Sequence, residues 1–260
     1  MNEFQALLLG ILQGLTEFLP VSSSGHLEIG NALLGVKTTN NLLFTVVVHV
    51  ATVLSTIVVF RKDILKLIKD LLAFEWNEST IYISKLVLSS FPVLVLGLFF
   101  KTEIEQLFTG NLVLVGSMLL LTALLLGLTH FVKKTDGKIT FFKAIIIGFA
   151  QAMAVVPGIS RSGATIATGL LLKTNKSEIA RFSFLMVLIP ILGAAFLDLV
   201  SGEVTSNETI GLIPLSIGFL AAFFSGLLAC SWMIKIVKRG NLIYFAIYCL
   251  VIGVIAIFAA

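Results

Sequence analysis

The chain has 260 residues, of which 58% are apolar and only 12% carry a charged side chain. An average soluble domain is less apolar, and about a quarter of its residues are charged. So few charges cannot cover the surface of a soluble protein of this size, which argues against a soluble enzyme, a disordered chain and a nucleic-acid reader. We therefore expect an all-α integral membrane protein whose single membrane domain covers residues 1–260.

The apolar runs, taken in chain order, predict six transmembrane helices and two broken segments. A helix needs about 20 apolar residues to cross a bilayer. Six runs come close to that length, namely 41–60, 81–100, 111–132, 178–198, 212–234 and 241–259. The apolar regions 4–35 and 140–172 are different, because polar stretches with Gly and Pro interrupt them at 20–25 and 157–163. The pieces on either side of each break are near or below spanning length.

The basic residues predict which loops face the cytoplasm, since Lys and Arg are enriched in short cytoplasmic loops. Fifteen of the 18 Lys and Arg residues fall in or beside four regions: 61–70, 133–143, 173–181 and 235–240. With these regions inside, 144–172 has to enter and leave on the cytoplasmic face as a re-entrant hairpin. The simplest interpretation of 1–35 is a second re-entrant hairpin that enters from outside. Both termini are then outside the cell.

The two breaks resemble each other. Gln13 to Gly25 and Gln151 to Gly163 are both intervals of 12 residues that contain a Pro, then Ser, then Ser-Gly. Each hairpin precedes three predicted spans, so the chain divides into halves of approximately 1–132 and 140–260 with opposite orientation. Inverted repeats of this kind bring broken helices together near the bilayer midplane. Chance similarity between two turns rich in Gly and Ser is the alternative.

The polar residues of the two breaks are the candidate site. Burying an ionisable group in a membrane costs free energy, so such a residue usually has a function. Gln13 and Glu17 are four residues apart and share one face of a helix. A serine after Pro20 is expected to cap the helix that leads into His26. Free N–H groups at a helix start bind anions, and Arg161 adds a cation suited to phosphate. The candidate substrate-binding residues are Ser22, Ser24, Gly25, Gly158, Ser160, Ser162, Gly163 and Thr165.

A carboxylate, serines, a histidine and an arginine around two anion sites indicate phosphoryl chemistry. Glu17, with Gln13 as a weaker ligand, would hold Mg²⁺ or Ca²⁺ together with phosphate oxygens. The alternatives are purely structural roles: Glu17 would form an ion pair with Arg161, the serines would only cap helices, and His26 would be a packing residue. We interpret His49 as a packing residue that is alone on its span. A secondary transporter or lipid flippase, which would use the same inverted-repeat cavity, is the rival function.

The sequence resembles the bacitracin-resistance (BacA/UppP) family of undecaprenyl-pyrophosphate phosphatases. Residues 13–26 are similar to the family's first motif, a Glu or Gln, three residues and a Glu, then Pro-Val-Ser-Ser and Gly-His. Residues 157–165, Pro-Gly-Ile-Ser-Arg-Ser-Gly-Ala-Thr, are similar to its second motif. The resemblance implies six spans with two re-entrant hairpins. It also implies removal of the terminal phosphate of a C55-type prenyl pyrophosphate, which recycles the carrier lipid of cell-envelope glycan synthesis and confers bacitracin resistance.

The resemblance also implies roles for individual residues. Glu17 corresponds to the carboxylate that supports metal binding and catalysis, and His26 to the essential histidine. Ser23 corresponds to a proposed nucleophile or substrate ligand, and Arg161 to the phosphate-binding arginine. Gln13 stands where many members have Glu, so a cage of two carboxylates is not expected here. The nucleophile stays open between His26, Ser23 and water. The oligomeric state is also open, with a homodimer as one option. The expected setting is the plasma membrane, with the active site open to the outer face.

Overall fold

The computed structural model describes residues 1–36, 42–108, 110–133, 135–193 and 210–260, without the side chains of residues 42 and 105. These ranges are helical, and within them the only β-type pairing is an isolated bridge between Gly137 and Thr174. The predicted all-α class is confirmed. The helices are, in chain order, α1 (Glu3–Phe18), α2 (Ser23–Leu34), α3 (Leu42–Val59), α4 (Arg61–Leu71), α5 (Glu78–Phe99), α6 (Lys101–Glu105), α7 (Leu112–Leu128), the 3₁₀ turn Thr129–Phe131, α8 (Phe141–Met153), α9 (Arg161–Leu171), α10 (Lys176–Met186), α11 (Leu212–Arg239) and α12 (Ile243–Phe258).

Several helices suit a bilayer by length and composition. Within the part of the chain that the structure describes, three are long and apolar enough to cross one: α5, α7 with its 3₁₀ extension, and α11. The bent pair of α3 and α4 makes a fourth if it counts as one span, while α8 and α12 are apolar but shorter. The membrane class is therefore supported, and the count of six spans stays a prediction.

Two segments differ from expectation. Region 61–70, expected as a loop, is helix α4, and it turns away from α3 by 78°. Its apolar residues recur at helical spacing between the lysines, so the segment is an amphipathic helix. The expected continuous span 178–198 is interrupted by a turn at Val187 and resumes over 188–193. The remainder of that span and most of the loop 199–211 lie outside the described residues.

Both predicted hairpins contain two short helices around a break. α1 has 16 residues and α2 has 12, while α8 has 13 and α9 has 11. The first break follows from Pro20, which has no N–H for a helix and keeps Leu19 extended. In both hairpins a serine restarts the helix: the side chain of Ser22 caps α2, and that of Ser160 caps α9.

The first helix of each hairpin packs closely on a helix of the other predicted half. α1 runs along α11, and α8 runs along α5. Glycines permit these contacts. A Cβ on Gly10 would lie 2.4 Å from the carbonyl oxygen of Gly218, and one on Gly148 would lie 2.4 Å from that of Ser89. Small residues at such crossings let helix backbones approach each other in membrane proteins.

The basic regions gather at one end of the molecule. Arg181 of α10 forms an ion pair with Asp63 of α4 at 2.8 Å. The backbone N–H of Gly137 donates to the carbonyl of Lys173 at 3.0 Å. A Cβ on Gly240 would lie 2.4 Å from Nζ of Lys176, so the end of α11 reaches the same place. The four regions that the sequence groups by charge are thus neighbours in space.

A packed aromatic cluster lies beneath the first break. The Phe184 ring of α10 is 5.8 Å from that of Phe18 and 6.1 Å from that of Phe60. Cys230 and Cys249 are buried free thiols. The end of α1 is therefore held against α10 by apolar packing, which places the polar residues beside it.

Candidate active site

The two breaks touch each other. The Ser162 hydroxyl donates to the carbonyl of Leu19 at 3.2 Å. A Cβ on Gly25 would come within 3.0 Å of the Cα of Gly158. The predicted meeting of the two interrupted segments is confirmed for the described residues, although they are about 140 positions apart in the chain.

Both breaks use the same local hydrogen bonds. The Ser22 hydroxyl accepts from the N–H of Gly25 at 3.2 Å and lies 3.3 Å from the hydroxyl of Ser24. In the second break, the Ser160 hydroxyl accepts from the N–H of Gly163 at 3.1 Å and lies 3.3 Å from that of Ser162. A Ser-x-Ser-Gly sequence at a helix start thus gives the same cap twice.

The second break is also fixed from α7. Thr122 accepts from the N–H of Ser160 at 3.0 Å and donates to the carbonyl of Gly158 at 3.1 Å. Gly158 has φ +98°, and a Cβ there would lie 2.4 Å from the carbonyl oxygen of Val115. Only glycine fits this position, because both the backbone conformation and the space exclude a side chain.

Glu17 is the centre of the polar cluster. The carboxylate is 7% exposed, and its Oε1 accepts from Arg161 Nη2 at 2.5 Å. Its Oε2 accepts from the hydroxyl of Ser23 at 2.6 Å and from the amide of Gln13 at 3.0 Å. The ion pair between Glu17 and Arg161, one of the open alternatives, is present, and both carboxylate oxygens are engaged.

Arg161 is held from its own helix and from α10. Its Nη1 donates to the carbonyl of Ser183 at 3.4 Å. Thr165 donates to the carbonyl of Arg161 at 2.8 Å, and its hydroxyl lies 2.6 Å from that of Ser183. Thr165 is fully buried, so it supports the arginine rather than facing a ligand.

A cavity of about 730 Å³ opens beside this cluster. Its polar wall includes Glu17, Ser23, Ser24 and Arg161. Its remaining lining is largely apolar and comes from the start of α3, the second half of α5 and residues 187–193. Lys101, Ile104 and Phe108 border it at the segment between α5 and α7. A charged group and a long apolar chain would each meet a matching surface here.

The predicted site residues other than Gln13 and His26 thus fall into two groups. Glu17, Ser23, Ser24 and Arg161 border the cavity. The others hold the breaks together or support the arginine, and their role in substrate binding stays a prediction: Ser22, Gly25, Gly158, Ser160, Ser162, Gly163 and Thr165.

His26 points toward α12. Its Nδ1–H donates to the carbonyl of Ser22 at 2.8 Å, which leaves Nε2 to accept from the hydroxyl of Tyr248 at 2.8 Å. The two rings stack, with centroids 5.6 Å apart. His26 is not among the residues that border the cavity. Its ring therefore links the first break to α12.

His49 is the residue that the sequence interpretation missed. It borders the cavity, and its Nε2 lies 3.9 Å from Glu17 Oε2, while Nδ1 donates to the carbonyl of Thr45 at 2.8 Å. His49 has no ionisable neighbour on its own helix, but the fold brings it close to Glu17. The available signal was its ionisable ring in an otherwise apolar span, which is a reason to expect function.

The donor set fits a divalent cation only in part. Within the described ranges, no three or more His, Cys, Asp or Glu side chains are grouped to hold a metal ion. Besides Glu17, the cluster offers the buried Oε1 of Gln13, which lacks a hydrogen-bond partner there. Mg²⁺ takes six oxygen ligands, so phosphate oxygens and water would have to complete its shell.

The profile of one family, described as bacitracin resistance protein BacA, matches residues 6–255 of this chain. The chain belongs to this family. The curated relatives described below align with this chain over nearly its whole length and nearly the whole of theirs. A protein of Bacteroides fragilis named undecaprenyl-diphosphatase is 54% identical over 99% of this chain and 98% of its own.

Two further BacA relatives carry the same name. The protein of Christiangramia forsetii is 53% identical over 100% of this chain and 99% of its own. That of Carboxydothermus hydrogenoformans is 42% identical over 98% and 96%. The family assigned from the two motifs of the sequence is therefore confirmed.

Proposed function

We infer that this chain is an undecaprenyl-diphosphatase, which hydrolyses the terminal phosphate of undecaprenyl pyrophosphate and returns the lipid monophosphate to cell-envelope synthesis. Its BacA family and the shared name of its relatives support this function. The observation on which the site argument rests is the cluster of Glu17, Ser23 and Arg161 at the edge of a largely apolar cavity. That arrangement suits a substrate with a pyrophosphate head and a prenyl tail.

Arg161 and the two helix starts stabilise the phosphoryl group. The pyrophosphate enters the cavity, and its terminal phosphate replaces Glu17 as the partner of the Arg161 guanidinium. Ser23 and Arg161 are the first residues of α2 and α9, and both border the cavity, so the first N–H groups of the two helices lie near it. Donors fixed in advance at a developing negative charge are a main source of rate in phosphoryl transfer.

Ser23 is the nucleophile in this mechanism, and Glu17 accepts its proton. The support is the 2.6 Å hydrogen bond from the Ser23 hydroxyl to Glu17. Ser23 Oγ bonds to the terminal phosphorus while the bond from phosphorus to the bridging oxygen breaks, and the lipid monophosphate leaves. Water then displaces Ser23 Oγ from phosphorus. Glu17 returns its proton to Ser23 Oγ, and the water's oxygen and protons leave in the inorganic phosphate and the medium. A carboxylate within hydrogen-bond reach of a hydroxyl can act as its general base.

His26 has a positioning role in this mechanism. Its two ring nitrogens are engaged by Ser22 and Tyr248, and His26 is not among the residues that border the cavity. Ser22 has φ +71°, a conformation that a non-glycine residue adopts only when its surroundings hold it. His26 and Tyr248 thus fix the turn that presents Ser23.

A divalent cation, Mg²⁺ or Ca²⁺, would be held by Glu17 and the free Oε1 of Gln13, with the substrate's phosphate oxygens. When bound, it would neutralise charge on the pyrophosphate.

Six spans and two re-entrant hairpins in an inverted repeat remain our proposal for the topology, with halves at approximately 1–132 and 140–260. It is supported by the matched packing of α1 on α11 and of α8 on α5. The gathering of the basic regions at one end supports a cytoplasmic assignment for that end. Lys101, Ile104 and Phe108 border the cavity from a segment we assign to the outside, so the site opens outward.

Purified protein in detergent tests the function, because no compartments exist there and transport cannot register. We expect release of inorganic phosphate from a long prenyl pyrophosphate, which depends on a divalent cation and stops with chelator. Absence of phosphate release from an intact, folded preparation would overturn the phosphatase function. A transporter or flippase would then be the favoured function.

A further inference from the structure

Gln151 has no partner that accounts for its burial. The side chain is 2% exposed, in the last turns of α8, and neither its amide nitrogen nor its amide oxygen has a hydrogen-bond partner among the described residues. A buried amide without a partner is costly, so native proteins normally satisfy such groups with protein, water or ligand. Gln151 also borders the cavity beside Glu17 and Arg161.

The equivalent residue of the first hairpin has a partner. Gln13 stands at the same distance before the Ser-Gly of its break, and its amide donates to Glu17 at 3.0 Å. The second hairpin has Val155 where the first has Glu17, so Gln151 has no carboxylate on its own hairpin to bind. Because the residue borders the cavity, its free amide donor has the chemistry to bind an anionic oxygen of a ligand there.

The position of α8 indicates which part of the substrate Gln151 meets. α8 packs on α9, which carries Arg161, and on α5, which provides much of the apolar wall of the cavity. A substrate with its terminal phosphate at Arg161 and its prenyl chain along α5 has its second, retained phosphate in between. We propose, on the basis of the function inferred above, that the Gln151 amide donates to this retained, prenyl-linked phosphate.

Such a contact would act mainly on affinity. The retained phosphate is the leaving group, but the charge released by cleavage falls on its bridging oxygen. The proposed contact is to one of its other oxygens, which carry charge in the substrate, the transition state and the lipid monophosphate product. An interaction that is equal in ground and transition states lowers KM and leaves kcat unchanged. Gln151 would thus set the affinity for prenyl pyrophosphate and also the strength of product inhibition.

Gln151→Met tests the proposal, since methionine keeps the side-chain length and removes the donor. With prenyl pyrophosphate in detergent, we expect KM to rise about tenfold, the loss typical of a hydrogen bond to a charged group, with kcat nearly unchanged. Inhibition by the prenyl monophosphate should weaken by a similar factor. Inhibition by inorganic phosphate, which occupies the Arg161 end, should not change.

The control is Ser89→Ala, which removes another buried polar group from the interface of α5 and α8, away from the cavity lining. It should leave KM and both inhibition constants unchanged. The proposal is overturned if KM and monophosphate inhibition of Gln151→Met match the wild type, which would mean that water alone satisfies the amide. It is also overturned if inorganic phosphate inhibition weakens as much, or if kcat falls with KM constant. In all these results the wild-type enzyme still releases phosphate, so they are distinct from failure of the function itself.

Discussion

Ser23 and Arg161 stand at equivalent places in the two hairpins. Each is the first residue of a helix, each follows a capping serine, and each precedes the same Ser-Gly pair. Six residues earlier, the first hairpin has Glu17 and the second has Val155. The backbone device is the same, but one hairpin carries the carboxylate and hydroxyl while the other carries the cation.

This difference shows how two similar hairpins form one asymmetric site. The caps and the close contact of the breaks give two sets of helix N–H groups in one place. Electrostatics then separates the roles, because Glu17 on one side engages Arg161 on the other. A symmetric pair of cations or carboxylates would repel instead.

The largest effect should come from removing the cation of the second hairpin. We expect Arg161→Ala to lower kcat by about 10³-fold or more, because the transferring phosphoryl group loses its fixed charge. Arg161→Lys should recover only part of this rate, since a lysine lacks the planar fork of donors. Phosphate release by folded protein is the measurement, and a normal rate for Arg161→Ala would contradict the proposed site.

The second-largest effect should come from removing the carboxylate of the first hairpin. Glu17→Gln is expected to lower kcat by about 10²-fold to 10⁴-fold, the usual contribution of a general base. Because Glu17 and Arg161 contact each other, the double variant should lose less than the product of the two single losses. Fully multiplicative losses would mean that the ion pair is not coupled in the working enzyme.

The link from the first break to α12 should have an intermediate effect. Tyr248→Phe removes one hydrogen bond to His26 and keeps the ring stack, so we expect a loss of about fivefold to tenfold in kcat. Tyr244→Phe, a change on the same helix at an exposed tyrosine, is the control. If His26 were the nucleophile, a phosphohistidine should be trapped from labelled substrate, and our assignment predicts phosphoserine.

The helix crossings should affect stability rather than chemistry. Gly10→Ala and Gly148→Ala each place a Cβ 2.4 Å from a facing carbonyl oxygen, so both should destabilise the fold by about 1–3 kcal/mol. Gly127→Ala, in α7, meets nothing within 4 Å and should not lower the melting temperature. A stable Gly148→Ala beside an unstable Gly10→Ala would contradict the equivalence of the two crossings.

The smallest effect should come from the caps. Ser22→Ala and Ser160→Ala each remove one side-chain bond to a helix N–H, and each should cost about 1 kcal/mol of stability. Thermal melting in detergent measures both. Nearly equal losses would support the equivalence of the breaks, and a large difference would count against it.

The sequence predicted the parts of this structure that depend on local rules. Pro20 and the capping serines follow from the chemistry of single residues, and the pairing of the breaks followed from their spacing. His49 was missed because its partner, Glu17, lies on another helix. The direction of His26 depends on Tyr248, which is 222 positions away. The turn at Val187 did have a local signal, because Pro190 follows three residues later and cannot donate to the helix before it. The prediction of a continuous span rested on apolar length alone and passed over this proline.

The two residues of the ion pair at the centre of the site are synthesised at different times. Glu17 leaves the ribosome 144 residues before Arg161. α1 waits longer still for α11, the helix along which it packs, because that helix begins only at Leu212. During translation the first hairpin therefore carries a carboxylate without its cation and a glycine-lined face without its neighbour. The first hairpin therefore gains its charged and its packing partner only after most of the second half has been synthesised.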